Sequence, residues 1–140
     1  MFQGVFTAII TPFTKEGKID LNTLKQLVVG QINAGVAGLV PIGTTGESPT
    51  LNTDEVKVIL EMIVQQVDGK VPIIAGTGSN NTANAIKMTQ LAKEIGVDAC
   101  LQVVPYYNKP TQAGLMEHFL SIANAVDLPI ILYNVPGRSG

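Results

Sequence analysis

Five short apolar runs, separated by longer segments of helical period, restrict this chain more tightly than any other feature of its sequence. The runs are Gly4 to Ile10, Gly38 to Ile42, Val71 to Ala75, Cys100 to Val104 and Pro129 to Tyr133. They are nearly all apolar rather than alternating, as expected of strands covered on both faces, and so predict a parallel α/β fold rather than a bundle or sandwich. Between them, Leu24, Leu27, Val28 and Ile32 mark one charge-free helical stripe, and Val56, Ile59, Leu60, Ile63 and Val67 mark a second. Ala85, Met88, Ala92 and Ile95 make a weaker third stripe; Leu115, Phe119, Ile122, Ala123 and Val126 make a fourth. Asn52 with Glu55 reads as a capping box opening the second helix, and Gly35 and Gly96 punctuate the ends of the first and third.

The sequence also echoes itself. Gly35-Val36 before Gly38-Leu39-Val40 resembles Gly96-Val97 before Ala99-Cys100-Leu101, and Val71-Pro72-Ile73-Ile74 resembles Leu128-Pro129-Ile130-Ile131. The spacing is about two strand-helix units, so the second and third strands are repeated by the fourth and fifth, unless strand-like composition alone produces the likeness. A doubly wound sheet would carry a G-x-G-x-x-G turn after its first strand, whereas here that strand runs into Thr11-Pro12-Phe13. The alternative is a (β/α)8 barrel, which needs roughly 200 residues or more. On that reading the chain of 140 residues is the N-terminal portion of a single (β/α)8 barrel domain. It holds about five strands and four helices, and the fifth strand lacks its helix. Length and 46% hydrophobic content alone would instead suggest one complete domain.

A formal charge of −2, a pI near 5.2 and no Lys or Arg cluster argue against nucleic acid or an anionic membrane as partner. Small molecules fit better. No apolar run reaches the roughly 18 residues of a membrane span, and Met1 to Pro12 lacks signal-peptide character, so a cytoplasmic protein is expected. The single cysteine, Cys100, lies in an apolar run and reads as a buried, inert thiol.

Polar and small residues gather at the C-terminal ends of the strands: "GTTGES" after the second, "GTGSN" after the third, "PYYN" after the fourth and "YN" closing the fifth. Barrel active sites are built on that face. Gly43-Thr44-Thr45-Gly46-Glu47 reads either as a plain tight turn or as an anion loop whose glycines let amides face a ligand. With no adjacent Lys or Arg and with Glu47 present, such a loop suits a single carboxylate better than a phosphate. Tyr133 reads either as an amphipathic residue at a core edge or as a proton donor and acceptor helped by neighbouring hydroxyls, with Thr44 and the Tyr106-Tyr107 pair as available partners.

Together, "GLVPIGTTGES", "PYYN" and "YNVPGR" resemble the dihydrodipicolinate synthase branch of the pyruvate-dependent lyase and aldolase superfamily. The resemblance runs from Gly4 to the last residue. It implies a (β/α)8 barrel condensing pyruvate with L-aspartate 4-semialdehyde, toward diaminopimelate and lysine, as a homotetramer (a dimer of dimers) without metal or organic cofactor. It implies that Thr44 and Thr45, with Gly43 and Gly46, receive the pyruvate carboxylate. It makes Tyr133, Thr44 and Tyr107 a proton relay, Tyr107 reaching across a dimer interface. It gives Arg138 the carboxylate of the semialdehyde, a task suited to a bidentate guanidinium, the alternative being a solvated surface charge. N-acetylneuraminate lyases share the glycine loop and tyrosine but lack this arginine. Ser48, Asn80 and Tyr106 match the regulatory cleft of lysine-inhibited members, yet Val56 and Asn84 stand where those members carry His and Glu, so feedback by lysine is not expected.

Schiff-base chemistry needs a lysine kept neutral by burial. The eight lysines here lie in polar loops, helical segments or beside turns, and none sits in an apolar run. By resemblance the Schiff-base lysine belongs to a sixth strand beyond Gly140. The 140-residue chain alone is therefore expected to be inactive. The alternatives are a sibling pyruvate-dependent aldolase or lyase, and a catalytically dead half-barrel that self-associates.

Overall fold

A computed structural model describes residues 2–139. Along the chain run β1 (Phe6–Ala8), α1 (Leu21–Asn33), β2 (Gly38–Val40), a 3-10 turn (Ser48–Thr50), α2 (Thr53–Val67), β3 (Ile74–Gly76), α3 (Thr82–Ile95), β4 (Ala99–Val103), α4 (Gln112–Ala125), β5 (Ile130–Tyr133) and α5 (Pro136–Ser139). All strand pairs are parallel: β1 with β2, β3 with β4 and β4 with β5. A Leu39–Ile73 bridge joins the two groups, so the strands lie side by side in chain order. That order, with a helix between successive strands, places every strand's C-terminal end on one face.

The strands are shorter than the apolar runs, and proline is one reason. Pro72 and Pro129 cannot donate to a ladder. Their carbonyls instead accept from the neighbouring strand, Leu39 N–H to Pro72 O at 3.0 Å and Cys100 N–H to Pro129 O at 2.9 Å. These two bonds join the pairs that the internal echo aligns, so the β2–β3 and β4–β5 junctions are built alike.

All five positions of the α2 stripe are buried, and each fully buried aliphatic side chain contributes roughly 1.5–3 kcal/mol. The Asn52–Glu55 capping box is formed in both directions, at 2.8 and 2.9 Å. Gly96 ends α3 in the left-handed conformation, at φ 100°, where a side chain would be strained. On α4 the expected stripe is partly corrected: Ile122 and Val126 are buried, but Ala123 is exposed, and His118 is buried on α4 beside Ile122. Its Nδ1 lies 2.9 Å from Thr82 Oγ1, a partner the apolar pattern could not show. Coverage of both strand faces also holds only in part, since Leu132 on β5 is 60% exposed. The four long helices are present, and a one-turn helix, α5, additionally follows β5. Among the described residues, no helix is long and apolar enough to cross a membrane.

Candidate active site

The turn after β2 is folded by its own amides. Gly46 N–H and Ser48 N–H both donate to Gly43 O, and Glu47 N–H donates to Thr44 O. Among the described residues, the amides of Gly43, Thr44 and Thr45 have no hydrogen-bond partner, which leaves three adjacent donors for a ligand. The glycines work differently from the expectation. Neither Gly43 nor Gly46 takes a left-handed φ; Ile42 (49°) and Glu47 (58°) do so instead. Gly46 is needed for close approach, because a Cβ there would lie 3.0 Å from Ile42 N and 3.2 Å from Ile9 O. Buried Thr11 fastens the turn, its hydroxyl donating to Gly46 O at 2.7 Å. That tie joins residues 35 positions apart and leaves no local pattern to read.

Left-handed backbone at a β-branched residue such as Ile42 is strained, at a cost of order 1–3 kcal/mol. Apart from the α2 cap at Asp68, every non-glycine residue with positive φ lies in the loop after β2 or the loop after β4, the latter pair being Tyr107 (72°) and Lys109 (44°). Strain is thus held where the polar strand ends converge.

Two clefts open on that face. The first, of about 390 Å³, is lined by Thr44, Tyr106, Tyr107 and Arg138 against an apolar wall of Val103, Val104 and Val135. Behind it a smaller recess brings Thr44 together with Gly43 and Tyr133. Thr44 therefore borders both, while Thr45 is exposed in the same turn. Tyr133 is delivered by its register opposite Val103 on β4. Tyr107 is 90% exposed. Among the described residues, no hydrogen bond joins the hydroxyls of Thr44, Tyr107 and Tyr133. Arg138 rides on α5, which is fixed by Arg138 N–H to Val135 O at 2.8 Å and by buried Ser139, whose hydroxyl lies 2.9 Å from both Asn134 Oδ1 and Val135 O. Arg138 is itself exposed and lines the mouth of this cleft beside its valine wall, where its planar guanidinium is free to take a carboxylate in two parallel hydrogen bonds.

The second cleft, of about 360 Å³, shares Ser48, Pro49, Gly78 and Tyr106 with the first. It adds Val56, Asn84 and Asn52, so four of the five positions flagged for lysine regulation line one cleft, Asn80 being the exception, and among the described residues no charged side chain lines it. Asn80 braces the shared wall, its amide donating to Tyr106 O at 3.2 Å while its own carbonyl accepts from Asn108. Cys100 is fully buried beneath this face, and burial pushes its thiol pKa up, in keeping with an inert residue. Among the described residues, no group of three or more His, Cys, Asp or Glu side chains is placed to hold a metal ion.

The dihydrodipicolinate synthetase family model matches residues 1–140. The chain is 54% identical over 139 residues to a 4-hydroxy-tetrahydrodipicolinate synthase from Cereibacter sphaeroides, covering 99% of this chain and 48% of that protein. It is 56% identical over 140 residues to the like-named protein of Geotalea daltonii, covering 100% and 48%. The synthase structure from Methylacidiphilum fumariolicum SolV superposes with a TM-score of 0.97 at 49% identity, over 100% of this chain and 46% of that one. A dihydrodipicolinate synthase from Acinetobacter baumannii complexed with pyruvate gives 0.97 at 49%, over 99% and 47%. The chain spans about half the length of the curated relatives it matches. Its parallel strands and helices correspond to the N-terminal part of a TIM barrel. Sequence and backbone agree along its whole length: the chain belongs to the dihydrodipicolinate synthetase family.

Proposed function

We propose that these residues form the N-terminal part of a single-domain barrel enzyme, a lyase that condenses pyruvate with L-aspartate 4-semialdehyde to give 4-hydroxy-tetrahydrodipicolinate. The observation that carries this is the convergence of Thr44, beside the unspent Gly43–Thr45 amides, with Tyr133 in one recess and with Arg138 in the adjoining cleft. The amides and threonine hydroxyls hold the pyruvate carboxylate. A lysine amine from a later strand adds to the ketone, losing water to give the Schiff base. Loss of a methyl proton gives the enamine, whose carbon attacks the aldehyde. The semialdehyde's own amine then closes the ring and displaces the lysine. Tyr133 moves protons in these steps, with Thr44 and Tyr107 sharing the charge. Arg138 orients the semialdehyde carboxylate. No metal or organic cofactor takes part, and the working form is a cytoplasmic homotetramer.

Borohydride trapping with pyruvate, read by intact mass, tests the reading. The 140-residue chain should give no stable adduct, whereas a polypeptide that also carries the later strands should gain one. Labelling of any of the eight lysines present here would overturn the assignment of the nucleophile.

A further inference from the structure

On the helix side of the sheet, directly behind the site, lies a polar group the reaction does not use. Gln102 on β4 is fully buried, as is Thr89 on α3, and Thr77 just past β3 is 3% exposed. Gln102 Nε2 lies 2.7 Å from Thr77 Oγ1 and 2.8 Å from Thr89 Oγ1. The two hydroxyls are 2.9 Å apart, and Thr89 donates to Ala85 O at 2.7 Å.

Counting protons fixes the directions. Thr89 spends its proton on Ala85 O, so Thr77 must donate to Thr89. Both hydroxyls are then acceptors within reach of the Gln102 amide, which also lies 3.5 Å from Cys100 Sγ. Reversing the amide would strand two donors, whereas the present orientation leaves only Oε1 without a partner. An isolated threonine pair would not require a buried glutamine. Its cost is offset only if Thr77 is held more firmly with it than without it.

Thr77 sits between two glycines that have no room for a side chain. A Cβ on Gly76 would run into Ile42 O and would lie 2.7 Å from Gly43 Cα; one on Gly78 would strike Val103 N. Gly76 N–H also donates to Pro41 O, and Thr77 N–H to Leu101 O. The segment is thus a wedge between Ile42–Gly43, which follow β2 and begin the anion turn, and Val103, which pairs in register with Tyr133. Where Thr77 is held, Thr44 and Tyr133 are spaced.

The geometry points to Gln102, acting through Thr89 and Thr77, as a positioning residue that sets the separation of the carboxylate-binding turn from the tyrosine. This rests on the proposed synthase reaction. It touches no substrate, and Arg138, on a turn tied to Asn134 and Val135 instead, lies outside its reach.

Steady-state kinetics of Thr77→Val, Thr77→Ser and Gln102→Leu in the full-length protein test it, alongside backbone amide exchange at Gly43–Thr45 and Gly76–Ser79. Thr77→Val keeps the volume and removes the hydroxyl. It and Gln102→Leu should lower kcat/KM for pyruvate about tenfold, as displaced reacting groups do. KM for the semialdehyde should stay unchanged, Thr77→Ser should behave as the parent, and amide exchange should speed up in the two impaired variants. The double variant should be no worse than the weaker single one. Parental kinetics and parental exchange in Thr77→Val, even with a lowered Tm, would overturn the proposal, as would multiplicative losses in the double variant. Should Gln102→Leu fail to fold, the Thr77 pair decides alone. A full-length parent without synthase activity would sink the functional reading, and the exchange measurements would still decide the positioning.

Discussion

The two clefts share a wall of Ser48, Pro49, Gly78 and Tyr106 but are chemically unlike. One side carries a guanidinium and a second phenol, Tyr107, set against valines, while the other adds only neutral amides and hydroxyls above Val56 and Met88. Three loops supply the shared wall, but α2 and α3 complete the neutral cleft while the ends of β4 and β5 and α5 complete the charged one. In an enclosed cleft a charged ligand must find a counter-charge or give up its hydration at a cost of several kcal/mol. The Arg138 side can hold a carboxylate; among the described residues, the neutral side offers no counter-charge to either end of an amino acid.

Removing the phenol tests the charged side most severely. Tyr133→Phe in the full-length protein should cut kcat by roughly 10²–10⁴-fold while leaving the melting temperature near that of the parent, because a positioned acid-base group supplies about that factor. Unchanged turnover would take Tyr133 out of the mechanism. Arg138→Ala should be milder, raising KM for the semialdehyde by roughly 10–100-fold, the worth of a charged hydrogen bond of about 1.5–3 kcal/mol. KM for pyruvate should hold, and a matching rise there would deny the division of labour.

Away from the charged cleft the effects move from rate to stability. Asn52→Ala breaks the capping box of α2, and chemical denaturation should show a loss of about 1 kcal/mol with kcat preserved. His118, buried with Nε2 unpartnered, has its pKa lowered by burial. The unfolded chain therefore binds a proton the native state refuses, and stability should fall as pH drops through about 6.5 toward the lowered native value. Comparing melts of the parent and His118→Gln between neutral and mildly acid pH should show the variant losing less. The smallest expected effect is none at all: L-lysine should not inhibit, and inhibition at millimolar concentration would mean the neutral cleft finds charges elsewhere.

Much of the fold was legible because burial on both strand faces writes itself as unbroken apolar runs, and α2 matched its stripe residue for residue. Strand limits were not, since Pro72 and Pro129 look apolar while lacking the donor a ladder needs. His118 escaped because an aromatic ring with one satisfied nitrogen can occupy a stripe position usually given to an aliphatic. At the site, Thr44, Tyr133 and Arg138 could be singled out as polar groups at strand ends, and the structure brings Thr44 beside each of the other two. Thr11, Thr77 and Gln102 could not, as each acts through a bond to a distant segment. Gln102 did leave one trace: a polar side chain inside an otherwise apolar strand must find partners.

Among the described residues, each strand lies beside the strands that precede and follow it in sequence, and no pairing skips a unit. The topology therefore has consequences for how the protein is made. A strand leaving the ribosome meets an edge already in place, and each helix can dock before the next unit exists. Assembly can proceed in the order of synthesis, with an unpaired edge always waiting. Slow translation around Pro72 or Pro129 should then cost little, whereas misplacing β2 should disturb every strand added after it.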